Sequence, residues 1–409
     1  MAPGKVSILT VNGGSSSIKF ALFAAGGPLR RVLTGRIERI GLAGPEFVVK
    51  GQDPSESFSR PAAAPDHAAA VGLLMDWVED KVGGGELAAV GHRVVHGGPK
   101  YSEPQLITRE LVEELRRFEP FDPEHLPEEI LLTEAFHQRF PGLPQVACFD
   151  TAFHREMPRV ARLLSLPRRY DARGIQRYGF HGLSYAFLLE ELARLAGLQA
   201  AHGRLILAHL GNGASLAAVC DGKAVDTSMG LTPAAGVPMS TRSGDVDPGL
   251  VWFLARTEGV NARQWNEMVN FHSGLLGVSE LSSDMRDLLQ LEATDVRAAE
   301  AVALFCYQVR KWIGALAAAL GGLDTLIFSG GIGENAPPVR ARVCEKLNFL
   351  GIELDDTKNS VNAALISSDS SRVPVRVIRT DEEWMIARTV CRVLNLPAGK
   401  ENSYEAKNP

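Results

Sequence analysis

Apolar positions recur every second residue in some stretches and every third or fourth in others, and this divides the chain into strands and helices. The segments 5–11, 18–23 and 29–38 are short, rich in β-branched and aromatic residues and separated by Gly-rich turns, which predicts three strands. A loop rich in Pro and Gly follows, and Asp66 then stands as the N-cap of a helix reaching about Val82. The run Leu87 to Val95 predicts a buried strand, 108–118 and 127–140 predict helices charged on one face, and Gln145 to Phe149 predicts a short strand ending at Asp150. Strands first, then helices alternating with strands, imply an α/β domain with a mixed sheet.

After Asp150 the pattern begins again. A helix is expected over 184–196. Apolar runs at 204–208 and 215–220 flank His209, Leu210, Gly211, Asn212 and Gly213, which reads as a hairpin, and a strand over 223–228 follows. The segment 229–248, with prolines at 233, 238 and 248, predicts a long loop, usually functional or disordered inside a compact domain. Val296 to Leu320 is the most apolar helix candidate, but Arg297, Glu300, Arg310 and Lys311 interrupt it, so it predicts a core helix and no membrane span. A strand at Thr325 to Phe328 runs into a turn at Ser329 to Asn335, with a helix opening near Pro337. The strand 373–378 and the helix 384–394 close the fold, and the polar tail 398–409 is expected to fray.

The central hairpin has a counterpart near the N-terminus, where Asn12-Gly13-Gly14-Ser15-Ser16-Ser17 lies between two apolar runs. Gly turns of this kind permit positive φ and let backbone N–H groups converge on one point, which suits a phosphate; either turn alone also reads as an ordinary hairpin connection. Their repetition favours two related domains around a nucleotide cleft. A length of 409 residues allows two domains with separate cores. The net charge of −5 gives no basic field, so no nucleic-acid partner is expected. Five dispersed cysteines without a C-x-x-C pair fit buried thiols in a reducing compartment, and strand-like sequence so close to the start leaves no room for a signal peptide. The expectation is a cytoplasmic protein with no membrane partner.

Neither G-x-G-x-x-G nor a Walker-type G-x-x-x-x-G-K-[ST] is present, although Gly330-Gly331-Ile332-Gly333 lies between a strand and a helix N-terminus, where phosphate or ribose commonly binds. Arg93 interrupts an apolar strand and Arg242 lies on the long loop. Each alone reads equally as a structural ion pair. Together they suit an anionic acceptor attacking a phosphoryl group, where the repulsion at about 4 Å is roughly 4 kcal/mol per charge pair. An arginine on each anion and a metal on the nucleotide relieve it. His181 and His209 either donate to phosphoryl oxygens or pack as ordinary hydrogen-bonded histidines. Asp150 reads as catalytic or as a turn cap. Thr380-x-x-Glu383 has the form of a capping box, which leaves Glu382 as the carboxylate for a cation; with Asn12 it would suffice for magnesium, which keeps most of its waters.

These residues sit in segments that resemble the acetate and butyrate kinases of the actin-like ATPase superfamily. The matching segments, in the family's order, are 11–17, 91–98, 149–154, 177–182, 209–215, 226–230, 241–245, 330–335 and 381–383. The resemblance implies an α/β fold of two duplicated actin-like (ribonuclease H-like) ATPase domains with a central interdomain cleft. The first would cover 1–151 with the helix 384–397 packing back on it, and the second, nucleotide-binding, 152–383. It implies reversible transfer of the γ-phosphoryl group of ATP to acetate, giving acetyl phosphate and ADP, with Mg2+ (or Mn2+), in a homodimer. Carried over by position, Asp150, His181 and Arg242 look catalytic. Arg93 would hold the carboxylate, with Val95, Phe121 and Pro233 around its methyl group. Ser15, Ser17, Lys19, His209, Leu210, Gly211, Asn212, Gly213, Asp284, Met285, Arg286, Gly331, Ile332, Gly333, Glu334 and Asn335 would contact the nucleotide, and Asn12 and Glu382 the metal.

A carboxylate acceptor is ionised at neutral pH and needs no general base, so Asp150 is expected to orient an arginine or hydrated magnesium; a hydroxyl acceptor would instead make it the base. The chain departs from the family's pattern at Asp122 to Pro127, where a His-Asn-Pro type segment is usual, at Leu183 and Tyr185, and at Ser240. Phe121 lies beside the first departure, which leaves acetate, propionate and butyrate open as substrates and predicts a pocket narrowed against longer chains.

Overall fold

The computed structural model describes residues 6–14, 16–82 and 87–397; the expected role of Ser15 and the fraying of 398–409 lie outside the described residues. The chain divides into two compact units, Met1–Ala152 with Asp381–Pro409, and Phe153–Thr380.

In the first unit β1 (Val6–Gly14) and β2 (Ser17–Ala25) form an antiparallel hairpin, and β3 (Arg30–Glu38), β4 (Glu46–Gly51) and β5 (Phe58–Pro61) extend it on one side. On the other side β6 (Leu87–Val94) runs parallel to β1 and β8 (Gln145–Phe149) parallel to β6, with the two-residue β7 (Gln105–Leu106) at the edge. The order is β5-β4-β3-β2-β1-β6-β8-β7. β4 and β5 occupy part of the segment expected to be a Pro- and Gly-rich loop. Phe47, Val48 and Val49 form an apolar triplet that the core buries, too short to stand out between its turn residues. The helices are α1 (His67–Val82), α2 (Arg109–Phe118) and α3 (Leu126–Arg139), and α1 starts directly after its expected N-cap. Asp66 accepts the Ala69 N–H at 2.8 Å, and Thr108 accepts that of Leu111 at 3.2 Å, satisfying first-turn donors. The core gathers Phe20, Phe47 and Trp77 with Leu9, Val11, Leu74, Leu132 and Phe136.

In the second unit β9 (Leu205–Leu210), β10 (Ala214–Cys220) and β11 (Lys223–Thr227) form an antiparallel meander, and β12 (Thr325–Ser329) and β13 (Val375–Val377) continue it in parallel on the β9 side. The order β11-β10-β9-β12-β13 repeats that of β3-β2-β1-β6-β8, strand for strand and direction for direction. Both units are therefore α/β, of the duplicated actin-like, ribonuclease H-like kind. The helix Gly182–Ala196 packs Tyr185, Leu188 and Leu192 onto Leu205, Leu207, Ala217 and Ile327. Val296–Leu320 is a 25-residue core helix, and among the described residues no helix is long and apolar enough to cross a membrane.

Four readings are corrected. Gly330–Asn335 is a short helix where a turn was expected, because Ser329 already stands in extended conformation as its N-cap. Thr380 does not cap the last helix, Glu382–Val393: Asp381 does, accepting the Trp384 N–H at 3.0 Å, while Thr380 Oγ1 donates to Ser184 Oγ at 2.8 Å. Asp381 also pairs with Arg31, and Glu382 with Asn12, so 381–383 join the first unit and not the second as the sequence implied. Finally, neither Gly211 nor Gly213 has positive φ; their glycine character answers to space.

Candidate active site

In the first unit the ends of three neighbouring parallel strands bring the chemistry together. Asn12 lies near the end of β1, Arg93 near that of β6, and Asp150 directly follows β8. Ligands of open α/β sheets bind outside these carboxyl ends. Arg93 donates through Nε (3.0 Å) and Nη2 (2.6 Å) to Asp150 Oδ2, and its Nη1 lies 3.5 Å from Glu129 Oε1. Asp150 is fully buried and only 13% of the Arg93 side chain is exposed. Burial alone would weaken the guanidinium's hold on its proton; Asp150, Glu129 and Glu382 outweigh it, so Arg93 stays charged above its ordinary range. Asn12 Nδ2 donates to Glu382 Oε2 at 3.2 Å. Burial, and then the charge of Asp150, pushes the Glu382 carboxyl up to about 7 against the opposing pull of Arg93 and Lys19. Lys19 itself stands opposite Asn12 on β2 with an exposed side chain, and Ser17 opens that strand. The side chain of Val95 is buried, and Phe121 leans on His96 (5.3 Å between rings) and edge-on against Phe118 (5.9 Å). Behind Phe121, buried Asp122 holds His125 Nδ1 at 2.8 Å.

The second unit uses the end of β9 in the same way. His181 and His209 stack with ring centroids 4.2 Å apart and planes 21° from parallel. Each Nδ1 meets a hydroxyl at 2.8 Å, Ser215 Oγ for His181 and Ser184 Oγ for His209. Buried Tyr185 bonds the same Ser215. His181 holds a left-handed backbone, φ 58°, as it enters the helix Gly182–Ala196, an uncommon conformation of the kind that gathers at functional sites. A Cβ placed on Gly213 would meet His181 Nε2 at 3.2 Å and Arg242 Nη1 at 3.5 Å. One glycine thus marks where an imidazole and a guanidinium converge. The loop 229–248 carries Arg242 there because Asn212 receives both the N–H (3.1 Å) and Oγ (3.2 Å) of Ser240. Pro233 is buried and its carbonyl lies 3.4 Å from Arg242 Nη1.

The remaining expected nucleotide contacts have local work of their own. Leu210 is buried and Gly211 N bonds Gly213 O at 3.0 Å, closing the hairpin turn. Glu334 Oε1 accepts the N–H groups of Gly330 (2.9 Å) and Thr380 (3.1 Å), and Asn335 Nδ2 donates to Gly331 O. These bonds fix the helix through Ile332 and Gly333. Asp284 caps the helix Met285–Leu291, accepting the Arg286 N–H at 2.8 Å, and pairs with the exposed Arg286 guanidinium.

Glu129 was not anticipated. It lies on α3 in the apolar phase of Leu126, Thr133 and Phe136, so the signal was an acid on the stripe that should face the core. Ser184 and Ser215 carried no signal beyond their position.

The sequence matches the model of the acetokinase family over residues 7–388. The chain belongs to the acetokinase family. It is a kinase by that membership. It is 44% identical over 395 residues to a propionate kinase of Citrobacter rodentium, covering 94% of this chain and 96% of that one. It is also 44% identical over 404 residues to an acetate kinase of Geobacillus kaustophilus, covering 95% and 99%. Among solved structures, a propionate kinase from Francisella tularensis superposes with a TM-score of 0.87 at 37% identity, over 94% of this acetokinase-family chain and 98% of that one.

Proposed function

We propose that this acetokinase-family enzyme transfers the γ-phosphoryl group of ATP reversibly to acetate. An acetate oxygen attacks phosphorus in line, the new O–P bond forms as the bond to the β,γ-bridging oxygen breaks, and ADP leaves. The observation that carries the reading is the state of Asp150. Its Oδ2 takes two N–H groups of Arg93, and a carboxylate so engaged is a poor base for a hydroxyl but a good brace for an arginine that receives an anion. Asp150 is accordingly an orienting group, Arg93 the acid's partner, and Val95, Phe121 and Pro233 the lining around its methyl group. The convergence of His181 and Arg242 over Gly213 supports their role on the transferring phosphoryl group, where donors placed for the transition state contribute most. Ser15, Ser17, Lys19, the turn His209 to Gly213, Asp284 to Arg286 and the helix Gly331 to Asn335 serve the nucleotide.

The residues present fit magnesium. Asn12 and Glu382 offer hard oxygen donors, and Glu382, pushed up to about 7 by burial and Asp150, is a carboxyl whose ionised form a divalent cation would favour. No cluster of three or more His, Cys, Asp or Glu suited to a metal occurs among the described residues; magnesium commonly takes only one or two protein ligands. When bound it would neutralise charge on the phosphates. The five described cysteines are all free, which accords with a cytoplasmic enzyme; as in the implied family pattern, we take it to act as a homodimer.

A second reading, propionate as acceptor, has the Citrobacter relative in its favour. A hydroxamate assay for acyl phosphate with ATP, magnesium and the acids from acetate to butyrate, beside glycerol and sugars, tests both. Acetate should turn over fastest; phosphorylation of an alcohol faster than any acid would overturn the proposal.

A further inference from the structure

The carboxyl group of Glu129 touches two things at once. Its Oε2 accepts the backbone N–H of Val95 at 2.9 Å, and its Oε1 lies 3.5 Å from Arg93 Nη1. The side chain is 2% exposed and Oε1 makes no hydrogen bond of its own. A carboxyl group is rarely buried unless paired; this one arises from the first turn of α3, behind Pro127, and burial pushes it well above the usual carboxylate range against the pull of Arg93 and the Val95 N–H. Its backbone is anchored as well: Glu129 N donates to His125 O at 3.1 Å and Glu129 O accepts Thr133 Oγ1 at 2.9 Å. Opposite it, Gly13 keeps β1 close to α3; a Cβ there would meet Leu132 Cδ1 at 2.7 Å and Glu129 Cγ at 3.8 Å.

Arg93 and Val95 are two residues apart at the end of β6; Arg93 is still paired with β8, opposite Cys148, whereas Val95 lies beyond Val94, outside the sheet. β8 braces Arg93 from one side through Asp150, and α3 from the other through Glu129. Val95 has left the strand, and its N–H goes to Glu129.

We propose that Glu129 is a positioning residue that sets the spacing between the arginine receiving the acid's carboxylate and the apolar wall receiving its alkyl end, and thereby tunes which short-chain acid fits. The inference rests on the acid-binding roles assigned above to Arg93 and Val95. Glu129 touches no reacting atom. One group holds both ends of the acid's seat, so a change of length in this side chain alters the seat's dimension while keeping its carboxyl group.

Two conservative variants separate these effects. Glu129→Gln keeps the length and an acceptor for Val95 N–H and removes only the ionisable oxygen beside Arg93. Glu129→Asp keeps the carboxyl group but is one methylene short. Steady-state acyl phosphate assays should show KM for acetate raised about threefold in Glu129→Gln and about tenfold in Glu129→Asp, with KM for ATP within about twofold of wild type in both, since small misplacements near a reacting group are costly. In Glu129→Asp the ratio of kcat/KM for propionate to that for acetate should also shift by about threefold or more. Thermal melts of both variants confirm that folded protein is compared. The inference is overturned if both variants keep KM for acetate and the chain-length ratio within twofold of wild type. It is overturned equally if KM for acetate and for ATP rise by the same factor, the mark of a structural role alone. A wild-type enzyme that makes no acyl phosphate from any short acid fails the proposed function instead, and the two failures are distinct.

Discussion

The two groups of site residues are built from different physics. In the first unit one guanidinium stands among Asp150, Glu129 and Glu382, almost wholly out of water, and charge decides what each group does. In the second unit the stacked imidazoles are held by hydroxyl groups, and shape decides the arrangement: a left-handed His181, a bare Gly213 and a loop hung on Asn212. A buried charge cluster binds folding and function together, because removing one ion leaves the others uncompensated. A shape-built cluster lets function be lost while the fold survives.

That contrast is breakable by measurement. Arg242→Ala should show the largest catalytic effect, a fall of about 10²–10³ in kcat, as for removal of a transition-state donor; a loss confined to KM would make Arg242 a binding group. Arg93→Ala should differ by also unfolding the protein more easily, by about 3–5 kcal/mol, since it strands buried Asp150 and Glu129. Equal melting temperatures for wild type and Arg93→Ala would erase the distinction between the two units.

A pH series sharpens it from the side of the scaffold. His92, next to Arg93 on β6, is buried edge-on against Phe136, and burial pulls its imidazole down to about 4. The folded protein therefore keeps His92 neutral where the unfolded chain protonates it. The associated stability is present above about pH 6.5 and is lost as pH falls towards 4, amounting to about 3 kcal/mol. Chemical denaturation should show a shallower loss over that window in His92→Gln than in wild type; parallel curves would refute it.

Smaller effects probe specificity and shape. Phe121→Ala should open the acid pocket and raise kcat/KM for butyrate relative to acetate by about tenfold, the order expected for a methylene or two. Wild-type enzyme already using butyrate as well as acetate would contradict the narrowing assigned to Phe121. Gly213→Ala should lower kcat by about threefold to tenfold by displacing His181 Nε2 and Arg242 Nη1, with little change in melting temperature. The corresponding glycine of the first hairpin faces the core instead: in Gly13→Ala the new methyl would meet Leu132 Cδ1 at 2.7 Å, so the Leu132 side chain has to shift.

Much of this was written in the chain. Alternating and helical periods placed the strands that flank both turns, because those strands bury one or both faces and have to be apolar. Asp66, a polar residue before an apolar stripe, announced a helix start because first-turn N–H groups need acceptors. Less legible were elements whose partners lie far along the chain. β4 has only three apolar residues among its six and exists because β3 is there to pair with it. Thr380-x-x-Glu383 satisfied a capping pattern, yet Asp381, one residue on, was better placed and took the cap.

The sequence by itself determined the alternation of strands and helices, the two glycine turns and the supply of arginines, histidines and carboxylates, since these follow from local periodicity and residue chemistry. Only the tertiary structure decided which charges meet. Asn12 and Glu382 are 370 residues apart and Arg93 and Asp150 are 57 apart. Their pairing depends on strand order, on parallel registers that bring strand ends level, and on a last helix that joins the first unit. Glu129 shows the same division: local pattern marks it as an acid in the wrong phase, and only packing against β6 reveals what it faces.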